Sequence, residues 1–263
     1  MNKQKVFITG ISKGIGRNIA ELLNQKGFEV SGSCRNPEKL TDKLSGVKYI
    51  PLDLNGKNSI LKCKDLIGDI DVLINNAGQS QIGAVEEIKT EDIRNIFDIN
   101  FFGSIELIKQ FLPLMREKKK GLIINIGSMA GSFALPMYSS YCSSKAAFQM
   151  FSLCLRQELK QFGITVVHVE PNDIKTSISP ELIYKEGGPY ENLAKTVREK
   201  VKQKMDKSDS PEVVSHLILK IIKSKNTNPK YAVGGSAYML MFLKRFLSDR
   251  TAEKITMKMY GLK

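Results

Sequence analysis

Histidine and cysteine are scarce in this chain, and their positions exclude several kinds of site. The 263 residues contain two histidines, which lie far apart, and four cysteines. The cysteines form no CxxC pair and have no metal-ligand spacing. We therefore predict neither a structural metal site nor a disulfide framework.

Long apolar runs and a leader segment are also missing from the sequence. No apolar run approaches the roughly 18–20 residues that cross a bilayer. The first residues, MNKQKVFITG, pass directly into a strand pattern and leave no room for a signal peptide. The pattern predicts a cytoplasmic protein.

The chain carries a formal net charge of +13, from 40 basic and 27 acidic residues. Such an excess suits a nucleic acid, an anionic membrane surface or an anionic ligand. The lysines are scattered, and no aromatic residues are interleaved with them for base stacking. We predict a solvated basic surface and no nucleic-acid partner.

Strand-like and helical patterns alternate along the sequence. The strand-like segments are residues 5–9, 28–34, 47–54, 71–78, 121–128, 164–170 and 230–235. One helical pattern follows the first strand, and others cover residues 90–118, 138–162, 210–224 and 237–250. In the segment 210–224, Ser210 is predicted as the N-cap and Pro211 as the first helical residue. The alternation predicts an α/β fold, a doubly wound parallel sheet flanked by helices, with residues 1–263 in a single domain.

The pattern loosens at about residues 172–210, which are punctuated by Pro, Gly and Ser. A loop of this length within a domain is usually functional, so we predict a substrate-binding lid. Its apolar residues are Ile178, Leu182, Ile183 and Tyr184.

A glycine-rich turn, TGISKGIG, follows the first strand and opens a helix. Glycine lets the backbone approach a pyrophosphate, and the helix N-terminus offers free N–H groups. The second strand ends with Arg35, where an NAD-binding protein has a carboxylate for the adenosine ribose. Arg35, with Lys13 nearby, can instead bind the 2′-phosphate of NADP. We therefore favour NADP(H) over NAD(H); an exposed loop arginine is the alternative.

Four further stretches accompany this turn: LDL around Asp53, NNAG at residues 75–78, IGS ending at Ser128, and Tyr141-x-x-x-Lys145. Together they resemble the short-chain dehydrogenase/reductase family over roughly residues 5–176. The segment SYCSSKAAFQMFSLCLRQEL is similar in style to hydroxysteroid- and retinol-dehydrogenase-like members. The resemblance implies a Rossmann-type fold and a nicotinamide cofactor.

The resemblance also implies roles for individual residues. The catalytic set would be Asn100, which would hold a proton-relaying water near Lys145, with Ser128, Tyr141 and Lys145. The cofactor-binding residues would be Gly10, Ser12, Lys13, Gly14, Ile15, Gly16, Arg35, Asp53, Leu54, Asn76, Ala77, Gly78, Tyr141, Lys145, Pro171, Ile174 and Thr176. Asn172 stands where the family has glycine, and asparagine is the next most tolerant residue of positive φ.

Two tyrosines precede Lys145, and helical spacing distinguishes them. Tyr141 lies four residues before Lys145 and shares its helix face, whereas Tyr138 lies two turns away. A nearby ammonium favours the phenolate and lowers a tyrosine's pKa. We predict that Tyr141 exchanges a proton with the substrate, that Ser128 orients the substrate oxygen, and that Tyr138 lines the pocket. His168 lies within a strand pattern and is predicted to be no ligand.

The last helical segment is apolar with basic residues beside it, from Met239 to Arg245. It could contact an anionic membrane peripherally, or pack in the core or against another subunit. We predict an NADP(H)-dependent oxidoreductase that acts on a hydrophobic small-molecule carbonyl or alcohol. A cofactor-binding regulator without catalysis is the alternative. The family resemblance implies a homodimer or homotetramer formed through the helices at about 90–118 and 138–162.

Overall fold

Strands and helices alternate in the computed structural model, which describes residues 3–176 and 180–262. Ile178, predicted to belong to an apolar lid, lies outside these residues. The strands are β1 (Lys5–Thr9), β2 (Glu29–Cys34), β3 (Lys48–Pro51), β4 (Val72–Asn75), β5 (Gln81–Gly83), β6 (Gly121–Ile126), β7 (Ile164–Pro171), β8 (Glu181–Ile183) and β9 (Lys230–Val233). The helices are α1 (Gly14–Gln25), α2 (Lys57–Ile67), α3 (Thr90–Phe97), α4 (Gly103–Glu117), α5 (Ser139–Leu159), α6 (Glu191–Asp206), α7 (Glu212–Lys223), α8 (Ala237–Lys244) and α9 (Asp249–Met259).

Seven parallel strands form the central sheet in the order β3-β2-β1-β4-β6-β7-β9. The middle strand β1 pairs with β2 on one side and with β4 on the other, so that Val6 lies opposite both Val30 and Val72. The chain reverses its direction across the sheet between these two neighbours. Ligands of doubly wound sheets bind at such a reversal, beyond the carboxyl ends of the strands.

Helices cover both faces of the sheet, as the alternating pattern predicts. One face is buried under α1 and α7, where Ile19, Leu23 and Ile218 are fully inaccessible to solvent. The other face is buried under α2, α4 and α5, with Phe111 and Leu155 in its core. The Rossmann-type doubly wound fold is confirmed. Among the described helices, none combines the length and the apolar character that a bilayer-crossing segment requires.

The segment predicted as one helix over residues 90–118 has an interruption. Helices α3 and α4 are joined by a π-helical stretch, Asp98–Phe102. The wider turn carries Asn100, which is buried. π-Helical turns of this kind often occur at functional sites.

The region predicted as a lid loop, residues 172–210, contains regular structure. Strand β8 pairs in parallel with the short strand β5, and α6 provides sixteen helical residues. Further along, α7 begins at Glu212, so Pro211 takes the N-cap position predicted for Ser210. The Ser210 hydroxyl still accepts a hydrogen bond from the Glu212 backbone N–H at 3.4 Å. The predicted final helix ends at Lys244, and a separate helix, α9, follows it.

Candidate active site

The glycine-rich turn connects β1 to α1 at the carboxyl edge of the sheet. Gly10 and Gly14 have φ angles of +75° and +62°, which side chains other than glycine rarely tolerate. A Cβ atom at Gly16 would lie 2.3 Å from both the Asn76 side-chain nitrogen and the Gly10 carbonyl oxygen. These glycines are therefore required by the geometry of the turn itself.

Asn76 fastens the end of β4 to this turn. Its side-chain nitrogen donates to the carbonyl oxygens of Thr9 and Gly10, at 2.9 and 3.1 Å. The backbone N–H groups of Asn76 and Ala77 both donate to the Thr9 hydroxyl at 2.9 Å. The two strands on either side of the topological reversal are thus held in fixed relation at their carboxyl ends.

Asn100 lies behind the adjacent turn. Its Oδ1 accepts from the backbone N–H of Gln79 at 2.8 Å, and its Nδ2 donates to the Gln79 carbonyl oxygen at 2.9 Å and to the Ser144 hydroxyl at 3.0 Å. A Cβ at Gly78 would be 3.0 Å from Asn100 Oδ1 and 3.3 Å from Lys145 Nζ. The amide and the ammonium therefore both approach the same glycine, which brings Asn100 close to Lys145.

Ser128, Tyr141 and Lys145 converge from two elements. Ser128 follows β6 and caps a short helical turn, because its hydroxyl accepts from the Ala130 N–H at 3.2 Å. Tyr141 and Lys145 lie on one face of α5, with Lys145 Nζ 5.9 Å from the centre of the Tyr141 ring. Lys145 Nζ also donates to the Ile126 carbonyl oxygen at 3.3 Å. Tyr141 and Ser128 are joined by a side-chain hydrogen bond.

Burial is the largest influence on the pKa values of Tyr141 and Lys145. It raises the pKa of Tyr141 above its usual value, and the hydrogen bond to Ser128 opposes that rise. The expected lowering of the Tyr141 pKa by the Lys145 ammonium is therefore not found in the protein's own residues. Burial also lowers the pKa of Lys145, to about 8. Tyr141 is consequently protonated at neutral pH and can act as an acid.

Tyr138 has a different environment from Tyr141. It is buried with Ile82, Val197 and Tyr260 in an apolar cluster, and its ring centre lies 6.0 Å from that of Tyr141. Burial strongly raises the pKa of Tyr138. Tyr138 lines the same cavity as Tyr141, as its spacing suggested.

A cavity of about 570 Å³ joins these parts. Predicted site residues on its wall are Gly10, Ser12, Lys13, Ile15, Asn76, Ala77, Gly78, Ser128, Tyr141, Lys145, Pro171, Ile174 and Thr176. Gly14, Gly16 and Asn100 belong to the predicted set but do not line the cavity. The structure thus brings together most of the residues that the sequence proposed as one site.

Besides Gly14 and Gly16, three predicted cofactor-binding residues, Arg35, Asp53 and Leu54, lie outside the described cavity wall. Arg35 follows β2 directly, and its side chain is exposed. The Asp53 carboxylate accepts from the Asn55 backbone N–H at 3.0 Å and so forms a local turn. Leu54 is buried, and its carbonyl oxygen would lie 2.4 Å from a Cβ at Gly103. Their predicted contacts with a cofactor stay predictions.

The chain after β7 returns to the sheet edge beside the cavity. The Asn172 backbone N–H donates to the Val233 carbonyl oxygen at 2.8 Å, and Ile174 forms a parallel bridge with Asp209. Among the described residues, the non-glycine positions with positive φ are Lys119 and Met137. Asn172 therefore does not have the positive φ angle that a glycine at this position would allow.

Sequence reasoning missed several polar residues on the cavity wall, among them Asp173, Lys204 and Tyr260. Lys204 Nζ lies 4.0 Å from the centre of the Tyr260 ring. Lys204 lies on α6, and Tyr260 directly follows α9; neither helix was predicted from the sequence. No local motif marks them, because only folding brings them to the site.

Comparison with known proteins agrees with this geometry. The family model described as short chain dehydrogenase matches residues 4–187. The chain is 32% identical over 242 residues to a 3-ketodihydrosphingosine reductase of Bacteroides thetaiotaomicron, covering 89% of each protein. The protein belongs to the short-chain dehydrogenase/reductase family and is an oxidoreductase of that class.

Solved structures are similar as well. A short-chain dehydrogenase from Streptomyces avermitilis has a TM-score of 0.81 and 29% identity, covering 98% of this chain and 96% of that one. A serine dehydrogenase in its closed form, complexed with NADP+, has a TM-score of 0.74 and 25% identity. That comparison covers 88% of this chain and 95% of the other.

Proposed function

We propose that the protein is an NADP(H)-dependent oxidoreductase that interconverts a carbonyl and an alcohol on a hydrophobic substrate, with Tyr141 as general acid/base. The observation that carries this proposal is the cavity. Its wall combines the glycine-rich turn with Ser128, Tyr141 and Lys145. A nicotinamide cofactor, when bound, supplies or accepts the hydride.

Tyr141 provides the proton in the proposed reduction. It is hydrogen-bonded to Ser128, and burial keeps its hydroxyl protonated, so it can donate to a carbonyl oxygen as that oxygen gains negative charge. Ser128 holds the same oxygen in position. Lys145 lies within 5.9 Å of the Tyr141 ring centre, and its positive charge stabilises the phenolate that remains. In alcohol oxidation the proton moves in the opposite direction.

NADP(H) is the proposed cofactor because of the charges beside the glycine-rich turn. Arg35 stands directly after β2 with an exposed guanidinium, and Lys13 lies in the turn on the cavity wall. Two cations suit a 2′-phosphate, whereas a ribose hydroxyl is usually bound by a carboxylate. The NADP+ complex of the similar serine dehydrogenase supports the same choice.

The proposed substrate is hydrophobic because the cavity continues from Tyr141 between apolar side chains. Phe133, Leu135 and Leu240 lie on its wall, together with Met205. Residues from the predicted lid, including α6, and from the C-terminal helices close this end. The similarity to a 3-ketodihydrosphingosine reductase supports a carbonyl on a long apolar chain.

Subunit assembly is proposed through α4 and α5. The exposed apolar side chains Phe102, which precedes α4, and Met150, on α5, are 52% and 62% accessible. Such residues can be covered in a homodimer or homotetramer. Size-exclusion chromatography with light scattering measures this directly, and a strictly monomeric protein would contradict it.

The function is tested by NADPH consumption with a panel of carbonyls. The panel runs from short aldehydes to steroid, retinoid and long-chain ketones, with NADH as the alternative donor. Tyr141→Phe is compared with Tyr138→Phe, because both tyrosines lie on the wall and only Tyr141 bonds Ser128. We expect turnover of apolar ketones with NADPH, lost in Tyr141→Phe and retained in Tyr138→Phe. NADPH binding without turnover of any carbonyl would favour a regulator, and absence of NADPH binding would overturn the proposal.

A further inference from the structure

The C-terminal helices expose an unusual share of the large apolar side chains. Thirteen such side chains are exposed among the described residues, and seven of them lie within residues 238–259. The most accessible are Tyr238 at 81% and Phe246 at 73%. Isolated exposed apolar residues are normal at protein surfaces, but a concentration of them marks an interaction site.

Helical geometry places these side chains together. On α8 and the turn after it, Tyr238, Phe242 and Phe246 recur every four residues, and the rings of Phe242 and Phe246 are 5.3 Å apart. On α9, Ile255 and Met259 have the same spacing and are 41% and 44% accessible. We call this surface of α8 and α9 the C-terminal apolar face.

The C-terminal apolar face is also the entrance to the cavity. Leu243, Ile255 and Met259 are exposed to solvent and at the same time line the cavity that contains Tyr141. The cavity wall therefore reaches solvent at side chains of α8 and α9. An apolar molecule that entered there would pass from an apolar surface directly into the site.

Basic side chains flank the apolar face. Arg250, Lys254 and Lys258 recur every four residues on α9, one position before the row of Ile255 and Met259, and all three are exposed. Exposed Arg245 follows α8. Lys244, by contrast, donates to the Ser132 carbonyl oxygen and so ties α8 to the loop after Ser128.

We propose that the C-terminal apolar face docks on a lipid bilayer with anionic headgroups. An apolar row beside a basic row on one helix suits the boundary between acyl chains and headgroups. The formal net charge of +13 adds attraction to an anionic surface. That the substrate reaches Tyr141 from the bilayer rests on the proposed function.

Vesicle co-sedimentation of the full chain tests the docking. Vesicles of phosphatidylcholine alone are compared with vesicles that also contain phosphatidylglycerol, at low and high salt. We expect binding to the anionic vesicles that weakens as salt rises. In Phe242→Ser/Phe246→Ser and in Arg250→Glu/Lys254→Glu, we expect binding at least about tenfold weaker.

Matched controls change the same chemistry elsewhere on the surface. Leu61→Ser/Leu66→Ser removes two exposed apolar side chains from α2, and Lys62→Glu/Lys89→Glu reverses two exposed charges that are distant in sequence from α8 and α9. These variants should bind vesicles like the unchanged protein. Equal binding by all variants, or no binding to anionic vesicles, would overturn the docking. If the unchanged protein binds no vesicles but forms a dimer, and the Phe242→Ser/Phe246→Ser variant is monomeric, the face contacts a second copy of the chain instead. Co-sedimentation measures no turnover, so its failure is separate from failure of the proposed reaction.

Discussion

Lys230 Nζ lies 3.2 Å from Glu170 Oε2, and the Glu170 side chain is completely buried. Lys230 belongs to β9 and Glu170 to the neighbouring strand β7. The other carboxylate oxygen accepts from the Ser132 hydroxyl at 3.0 Å. The pair therefore links the last strand of the sheet to the loop that follows Ser128.

Lys230→Met should destabilise the protein by about 2 kcal/mol, because it leaves the buried Glu170 carboxylate without its cation. The Lys230 side chain is 28% accessible, which keeps the effect below that of a fully buried pair. Adding Glu170→Gln removes the unpaired charge and should recover part of the loss. Urea unfolding of both single variants and the double variant measures the coupling. Additive losses would show that the two residues act independently.

Lys145→Met should abolish carbonyl reduction and yet stabilise the fold at pH 7 by about 3 kcal/mol, since burial lowers the lysine pKa from 10.5 to about 8 and each pKa unit corresponds to about 1.4 kcal/mol. The unfolded chain therefore binds this proton more tightly, and the unchanged protein gains stability as pH rises from about 8 to 10.5. The advantage of Lys145→Met should shrink over the same window. Urea unfolding at pH 7 and near pH 10 tests this, and an advantage that is constant with pH would contradict it.

Gly16→Ala should weaken NADPH binding at least about tenfold, because the glycine-rich turn must open to accept the new Cβ. That atom would lie 2.3 Å from the Gly10 carbonyl oxygen, which is backbone and cannot rotate away. Gly56→Ala is the matched control, with φ of −102° and its nearest neighbour at 3.3 Å. Fluorescence titration with NADPH, alongside thermal melting, separates lost binding from lost folding. Normal affinity in Gly16→Ala would remove the turn from the cofactor site.

Arg35→Glu should reverse the preference between cofactors. A charge-assisted hydrogen bond contributes roughly 1.5–3 kcal/mol, so NADPH binding should weaken by about tenfold to a hundredfold. NADH binding should hold or improve, because a carboxylate at this position suits a ribose hydroxyl. Arg116→Glu makes the same charge change at an exposed site on α4 and serves as control. Equal losses for NADPH and NADH would indicate a nonspecific effect of charge.

Much of the fold could be predicted because the relevant signals are local. Buried parallel strands are short apolar runs, and the glycine-rich turn lies within eight consecutive residues, Thr9–Gly16. The spacing of Tyr141 and Lys145 follows from one helix. Such features need no knowledge of distant contacts.

The helices missed in the sequence have weak apolar patterns. Helix α6 buries only Ala194 and Val197 among its sixteen described residues, and its other positions are mostly charged or polar. Helix α9 has no fully buried residue. A signal for α9 was nevertheless present, since Ser248 caps it by accepting from the Thr251 N–H.

Local patterns were enough to predict the doubly wound sheet, the position of the glycine-rich turn and the placement of Tyr141 one helical turn before Lys145, because each depends on periodicity or spacing along the chain. Three properties of the site depend on the tertiary structure: burial raises the pKa of Tyr141, Lys204 and Tyr260 reach the cavity, and exposed side chains of α8 and α9 line it. These properties arise from groups far apart in sequence, whose distances and exposure to water exist only after the chain has folded.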